Sequence, residues 1–188
     1  MVLVSAAIAQ AGTWKIDPNH SAAQFSVRHL VMSTVRGAFT SMSGSVEYDP
    51  KDLSKTTIEA TIDTASVDTR VERRDNDLRS PNFFDVQKYP TITFKSKRVE
   101  AAGSGKLRVV GDLTIHGVTK EVTLDVEGPT PALKDPRGNL HMGASATTKI
   151  NRKEFGLMWN SMVDGTPIVS DDVMITIDLE LVQAASAN

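Results

Sequence analysis

An apolar side chain stands at every second residue of this chain, sustained over stretch after stretch. In "VMITIDLEL", Val173, Ile175, Ile177, Leu179 and Leu181 alternate with Met174, Thr176, Asp178 and Glu180. Strand side chains point alternately to two faces, so the odd-numbered residues share one apolar face. The same period recurs in "AQFSVRH" (Phe25, Val27), "SMSGSVEY" (Met42, Val46, Tyr48), "TIEATID" (Ile58, Ala60, Ile62) and "TITFKS" (Ile92, Phe94). It continues in "DLTIHG" (Leu113, Ile115), "EVTLDVEG" (Val122, Leu124, Val126) and "LHMGASAT" (Leu140, Met142, Ala144, Ala146). With turn-rich connections such as "HGVTK" and "GPTPALKDPRG", this gives about eight strands. Between Phe39 and Met42 the apolar positions pass from odd to even, which marks a β-bulge or a strand corner near Ser41.

One segment has helical spacing. In "DTRVERRDNDLRSPNFF", Thr69 and Glu72 stand at capping-box distance, Val71 and Leu78 fall on one side two turns apart, and Pro81 ends the run. A second short turn is expected in "INRKEFGLMWNSMVDG", where Phe155, Leu157, Met158 and Trp159 are too densely apolar for an idle loop. Arg73, Arg74, Asp75 and Asp77 form either a structural cluster at the helix or a grip for an anionic head group.

About eight antiparallel strands with one apolar face stack as a sandwich or close into a barrel, and closure removes exposed edges. A barrel of that size lies between a filled interior and one holding a small ligand. Side-chain volume bears on the choice. Ala23, Gly37, Gly44, Ala60, Ser96, Gly111, Ala144 and Ala146 take inward positions, and aromatics are only 5% of the chain. Interiors pack at crystal-like density, so small residues leave room for another occupant, although they also serve tight strand corners.

Composition excludes several classes. At 188 residues, 40% hydrophobic and a formal net charge of -2, the chain fits one domain, with no electrostatic call for nucleic acid or an anionic membrane surface. No apolar run reaches the 18 or so residues of a membrane span. Cysteine is absent, which removes disulfides and thiolate chemistry. No G-x-S-x-G elbow, Walker loop or dinucleotide fingerprint is present. The histidines, His20, His29, His116 and His141, lack the H-x3-H spacing of a helical metal site, so neither a metal nor another cofactor is expected. His116 precedes Gly117 in a hairpin turn, and His141 alternates to the outward side of its strand. Residues 1 to about 11 carry small and apolar residues and an Ala-x-Ala spacing, the remnant of a secretion signal or a disordered terminus. Residues 12–183 then form a single domain and 184–188 a tail.

Several stretches follow one family pattern in order. "WKIDPNHSAAQFSVRH", "GAFTSMSGSV", "SVDTRVERRDNDLRSPNFFDVQKYPTITFKS", "GDLTIHGVTKEVTLDV" and "INRKEFG" resemble the YceI-like family from about Trp14 to Val182. The helix segment through "FKS" and the "LTIHGVTK" hairpin are its most specific parts. The resemblance implies an all-β, extended antiparallel lipocalin-like barrel with one or two short helices. It further implies a periplasmic or secreted location, often a homodimer, and a hydrophobic pocket for a long isoprenoid or similar lipid.

Taken with the alternation, that resemblance places Phe25, Val27, Phe39, Met42, Ile58 and Ile62 along the ligand tunnel, together with Phe94, Leu113, Ile115 and Leu124. Met142, Ala144, Ile175 and Ile177 complete it, while Leu78, Phe83, Phe84, Met158 and Trp159 are expected to gate one end. The expected activity is non-enzymatic lipid binding or transport. The alternatives are an enzyme of isoprenoid or ester chemistry, using a group such as His29 or Arg152 with a carboxylate, and a filled barrel serving as a protein-interaction module.

Overall fold

The structure, a computed structural model, describes residues 11–183, so the expectations for the secretion signal and the tail lie outside the described residues, Ala11 excepted. The alternating stretches form strands β1 (Gly12–Ile16), β2 (Ala22–His29), β3 (Ser33–Phe39), β4 (Met42–Tyr48), β5 (Thr57–Asp63) and β6 (Val67–Asp68). Helix α1 (Glu72–Arg79) follows, then β7 (Thr91–Ala101), β8 (Lys106–Ile115), β9 (Val118–Glu127), β10 (Leu133–Lys134) and β11 (Leu140–Asn151). A 3-10 turn at Arg152–Phe155, the small hairpin β12 (Met162–Val163) and β13 (Thr166–Pro167), and β14 (Asp172–Gln183) complete the order.

All pairings within the sheet are antiparallel, and the sheet closes on itself. The order β11-β9-β8-β7-β5-β4-β1-β14 returns to β11, whose pairing with β14 runs from His141↔Val182 to Asn151↔Asp172. The result is an eight-stranded antiparallel barrel. Two of its staves are broken. β1 pairs with the last part of β14 (Ile16↔Leu181) and β2 with the first part (Ala22↔Asp178), so they lie end to end along one neighbour. Likewise β4 pairs with β1 and β3 with β2. The change of parity after Phe39 is therefore a corner at Thr40-Ser41 between these two halves.

A bulge does occur elsewhere. The register of β7 against β8 shifts between Ser96 and Arg98, which turns Val99 onto the same inner side as Ile92 and Phe94. The Ser96 hydroxyl accepts the backbone N–H of Ile58 at 2.8 Å there. The β8–β9 hairpin turns through His116 and Gly117, both at positive φ, as the register Ile115↔Val118 requires.

α1 starts differently from the expected capping box. Val71 occupies the cap position in extended conformation with no side-chain cap bond, and its side chain is exposed rather than paired with Leu78. Thr69 instead donates its N–H and hydroxyl to the buried Asp75 carboxylate at 2.8 and 2.5 Å. Arg74 donates back to the Thr69 hydroxyl and carbonyl, so this cluster fixes the helix start. At the other end Arg79 donates to the carbonyls of Ala65 and Val67, tying α1 to β6.

Candidate functional site

The inward faces of the barrel surround a partly open cavity of about 440 Å³, within the size range of small-molecule pockets. Each long strand contributes alternate residues. Phe25, Val27, Phe39 and Met42 come from the broken staves, Ile58 and Ile62 from β5, and Phe94 from β7. Leu113 and Ile115 from β8, Leu124 from β9, Met142 and Ala144 from β11, and Ile175 and Ile177 from β14 complete the expected tunnel wall. Ile58, Phe94, Leu124, Ile175 and Ile177 are only half-buried although they face inward, because their outer atoms meet the cavity. Leu78, Phe83, Phe84 and Trp159 also border it.

Met158 does not. It is 63% exposed, while its neighbours Leu157 and Trp159 line the cavity. Residues 157–160 belong to no helix or strand, and Met158 turns to solvent there.

The wall also includes residues absent from the expected set, among them Ile16, Ile92, Val99, Val109, Val122 and Leu181. Ile92 and Val122 share a face with Phe94 and Leu124 and follow from the same alternation. Val99 follows only once the bulge is known.

The small inward residues divide into two kinds. Ala23, Ala60, Ala144 and Ala146 border the cavity. The glycines are covered by the protein itself. A Cβ on Gly37 would lie 2.4 Å from the Phe25 ring, and one on Gly111 would lie 2.6 Å from the Phe94 ring and 2.5 Å from the Lys95 carbonyl. At Gly44 it would meet the Glu59 carbonyl at 2.3 Å. Thus the volume argument holds for the alanines, whereas the glycines admit neighbouring aromatic rings and backbone, and Ser96 serves the bulge.

Loops shape one end. The rings of Phe83 and Trp159 meet with centroids 5.1 Å apart, joining the segment after α1 to the segment after the 3-10 turn. Buried Arg152 holds the second of these. It donates to the carbonyls of Leu157 (2.6 Å), Trp159 (2.7 Å) and Ser170 (3.0 Å) and to Asp171 (3.3 Å). Burial lowers its pKa from the ordinary arginine value, with Asp171 opposing, and arginine remains charged in proteins. Its donors are thus committed to the chain. His29 lies at the end of β2 beside Val169, and Arg74 and Asp77 of α1 also reach the cavity border. At the other end Tyr48 borders the cavity; burial pushes its phenol pKa up, so it stays neutral.

A closed antiparallel barrel with an internal apolar cavity defines the class: a cavity-bearing β-barrel. The family model described as the YceI-like domain matches residues 14–181, and the chain belongs to that family. A UPF0312 protein of Serratia proteamaculans is 40% identical over 185 residues, covering 97% of this chain and 93% of its own. The crystal structure of Burkholderia cenocepacia BcnA superposes with a TM-score of 0.76 at 27% identity, covering 88% of this chain and 98% of that one. A polyisoprenoid binding domain from Saccharophagus degradans, implicated in plant cell wall breakdown, shares the fold with a TM-score of 0.67 at 15% identity. It covers 93% of this chain and 100% of the other. Among the described residues no helix is long and apolar enough to cross a membrane.

Proposed function

We propose that this protein binds a long-chain apolar lipid, of polyisoprenoid or isoprenoid-quinone type, in the barrel cavity without transforming it. One observation carries the reading: a cavity of about 440 Å³ walled by aliphatic and aromatic side chains from all eight staves. Each methylene taken from water into such a wall contributes about 0.8 kcal/mol before ordering costs, so a partly enclosed chain binds without ionic contacts. Seven methionines in the chain, Met42 and Met142 among those at the wall, suit an adaptable lining. The isoprenoid class is supported by the family and by the name of the Saccharophagus neighbour.

The proposed wall is the set from Phe25 to Ile177 given above, with Leu78, Phe83, Phe84 and Trp159 at the loop end and Met158 left out. The proposed setting is periplasmic or secreted, with residues 12–183 as one binding domain that forms a homodimer. Arg152 serves structure rather than catalysis, because its donors are spent on backbone carbonyls and Asp171.

The test is gentle purification from the native host, followed by native mass spectrometry and organic extraction. A stoichiometric isoprenoid lipid supports the reading. Ligand-free protein that takes up no added prenyl chain would end it, and conversion of the lipid to a product would move the protein to the enzyme class.

A further inference from the structure

Large apolar side chains are exposed at few places on this barrel, and most of them gather at one end. Of the eight exposed among the described residues, Val31 and Met32 lie in the β2–β3 turn, and Met158, Met162 and Val163 lie between the 3-10 turn and β13. Backbone bonds hold these two segments side by side. The Leu30 N–H donates to the Ile168 carbonyl at 2.9 Å, the Ile168 N–H donates to the Ser161 carbonyl at 2.9 Å, and His29 bridges to Val169. The same two segments border the cavity through His29, Trp159, Ile168 and Val169. The five exposed side chains are therefore the outer rim of the cavity's loop end.

We propose that this rim docks on an anionic phospholipid bilayer, so that the loop end of the cavity faces the membrane in which its lipid resides. The proposal rests on the lipid-binding function above. A long prenyl chain is costly to expose to water, and a cavity end set against a bilayer spares it that crossing.

Two further observations point to a membrane as the occupant. The first is the choice of residues in the β2–β3 turn. Leu30 and Val31 have φ of 50° and 60°, and the Met32 N–H donates to the His29 carbonyl at 3.0 Å, so both central residues of the turn sit at positive φ. Asn and Gly take such positions at least cost, whereas a β-branched side chain is strained there. Here the strained position holds a valine that is 69% exposed, followed by a methionine that is 77% exposed. The fold does not bury either side chain, and an apolar phase outside it would. The second observation is charge. Arg28 and Arg36 stand as diagonal neighbours on the outer face of β2 and β3, and among the described residues neither pairs with a carboxylate. Across from β2, Asp171 is matched by Arg152 and Lys153, and Asp172 by Lys149, which leaves Asp164 at the hairpin tip as the unpaired acid of that segment. The loop end thus has a positive excess on a chain of net charge -2. Exposed apolar side chains flanked by arginine suit anionic head groups lying over acyl chains. A second copy of this chain fits less well, because a symmetric contact through the rim brings the same arginines together.

The test is cosedimentation of tag-free full-length protein, at low salt, with vesicles of phosphatidylcholine containing a quarter phosphatidylglycerol. The variants are Val31→Gly with Met32→Ser, Met162→Ser with Val163→Ser, and Arg36→Gln. Leu133→Ser is the control, since Leu133 is 70% exposed but pairs with His141 at the far end of β11. Wild type and the control should bind, and each double variant should bind about tenfold or more weakly. Arg36→Gln should bind about fivefold more weakly, a difference that high salt removes. Val31→Gly also relieves the strained turn, so the urea midpoint of its double variant should be unchanged or raised, which separates lost docking from lost fold. Wild type left in the supernatant, or double variants that bind as wild type does, overturns the proposal. So does a wild-type dimer that the Val31→Gly and Met32→Ser pair converts to monomer in sedimentation, because the rim would then cover a second copy. Uptake of a fluorescent prenyl chain without vesicles keeps the two readings apart: uptake without docking ends this proposal alone, and docking without uptake leaves the docking surface and ends the lipid-binding function.

Discussion

Where β1 meets β14, Trp14 is fully buried among Ile16, Val46, Met142 and Leu181, side chains set by the registers of neighbouring strands. At the opposite end the cavity is bordered by Phe83 and Trp159, whose rings touch across two segments without long strands. The first end is held by strand pairing and dense packing. The second is held by the Phe83–Trp159 contact, by the carbonyls gathered on Arg152, by the Asn160 side chain on Val169, and by loop backbone bonds such as Leu30 to Ile168. Loop segments with few buried contacts open at lower free energy than paired strands. Under the proposed lipid-binding function, stability falls to the strand-paired end and ligand access to the loop end of one barrel.

Four substitutions test that contrast. Trp14→Ala removes the largest fully buried side chain and should cost about 3–5 kcal/mol in urea unfolding, more than any change at the loop end. Arg152→Met should cost about 2–3 kcal/mol, because the carbonyls of Leu157, Trp159 and Ser170 lose their donor. Hydrogen exchange should rise first in residues 157–170; a uniform rise over all strands would show that the two ends do not open separately. Phe83→Ala removes one aromatic partner and should cost about 0.5–1.5 kcal/mol, while exchange of a fluorescent prenyl probe quickens. Unchanged exchange would place entry elsewhere. Ala144→Phe, inside the cavity, should shift stability by less than about 1 kcal/mol yet abolish lipid retention. A filled core would lose about 1–3 kcal/mol to overpacking, with no lipid to lose.

Much of the wall was legible because strand alternation is local. Once Ile175 faces inward, Ile177 and Leu179 follow, and the same parity places Phe94 with Ile92 and Leu113 with Ile115. Errors arose where local order gave way. Met158 was grouped with its apolar neighbours, but the irregular segment after the 3-10 turn exposes it. Thr69 has capping-box spacing with Glu72, yet a buried carboxylate six residues on, Asp75, takes both of its donors. Gly37 and Gly111 looked like room left for a ligand and are room left for Phe25 and Phe94. Which ring covers a glycine depends on the neighbouring strand, and no single stretch records that.

Residues one to four positions apart are enough to dictate that this chain forms apolar-faced strands, where each strand's inner side lies and where the chain turns. It also carried the family pattern. Pairing across long separations is what makes β11 close on β14, breaks two staves at a corner, and brings His20 and His141 beside Glu180. Closure and register are settled by the summed packing of all strands, and no single stretch of the chain holds that information.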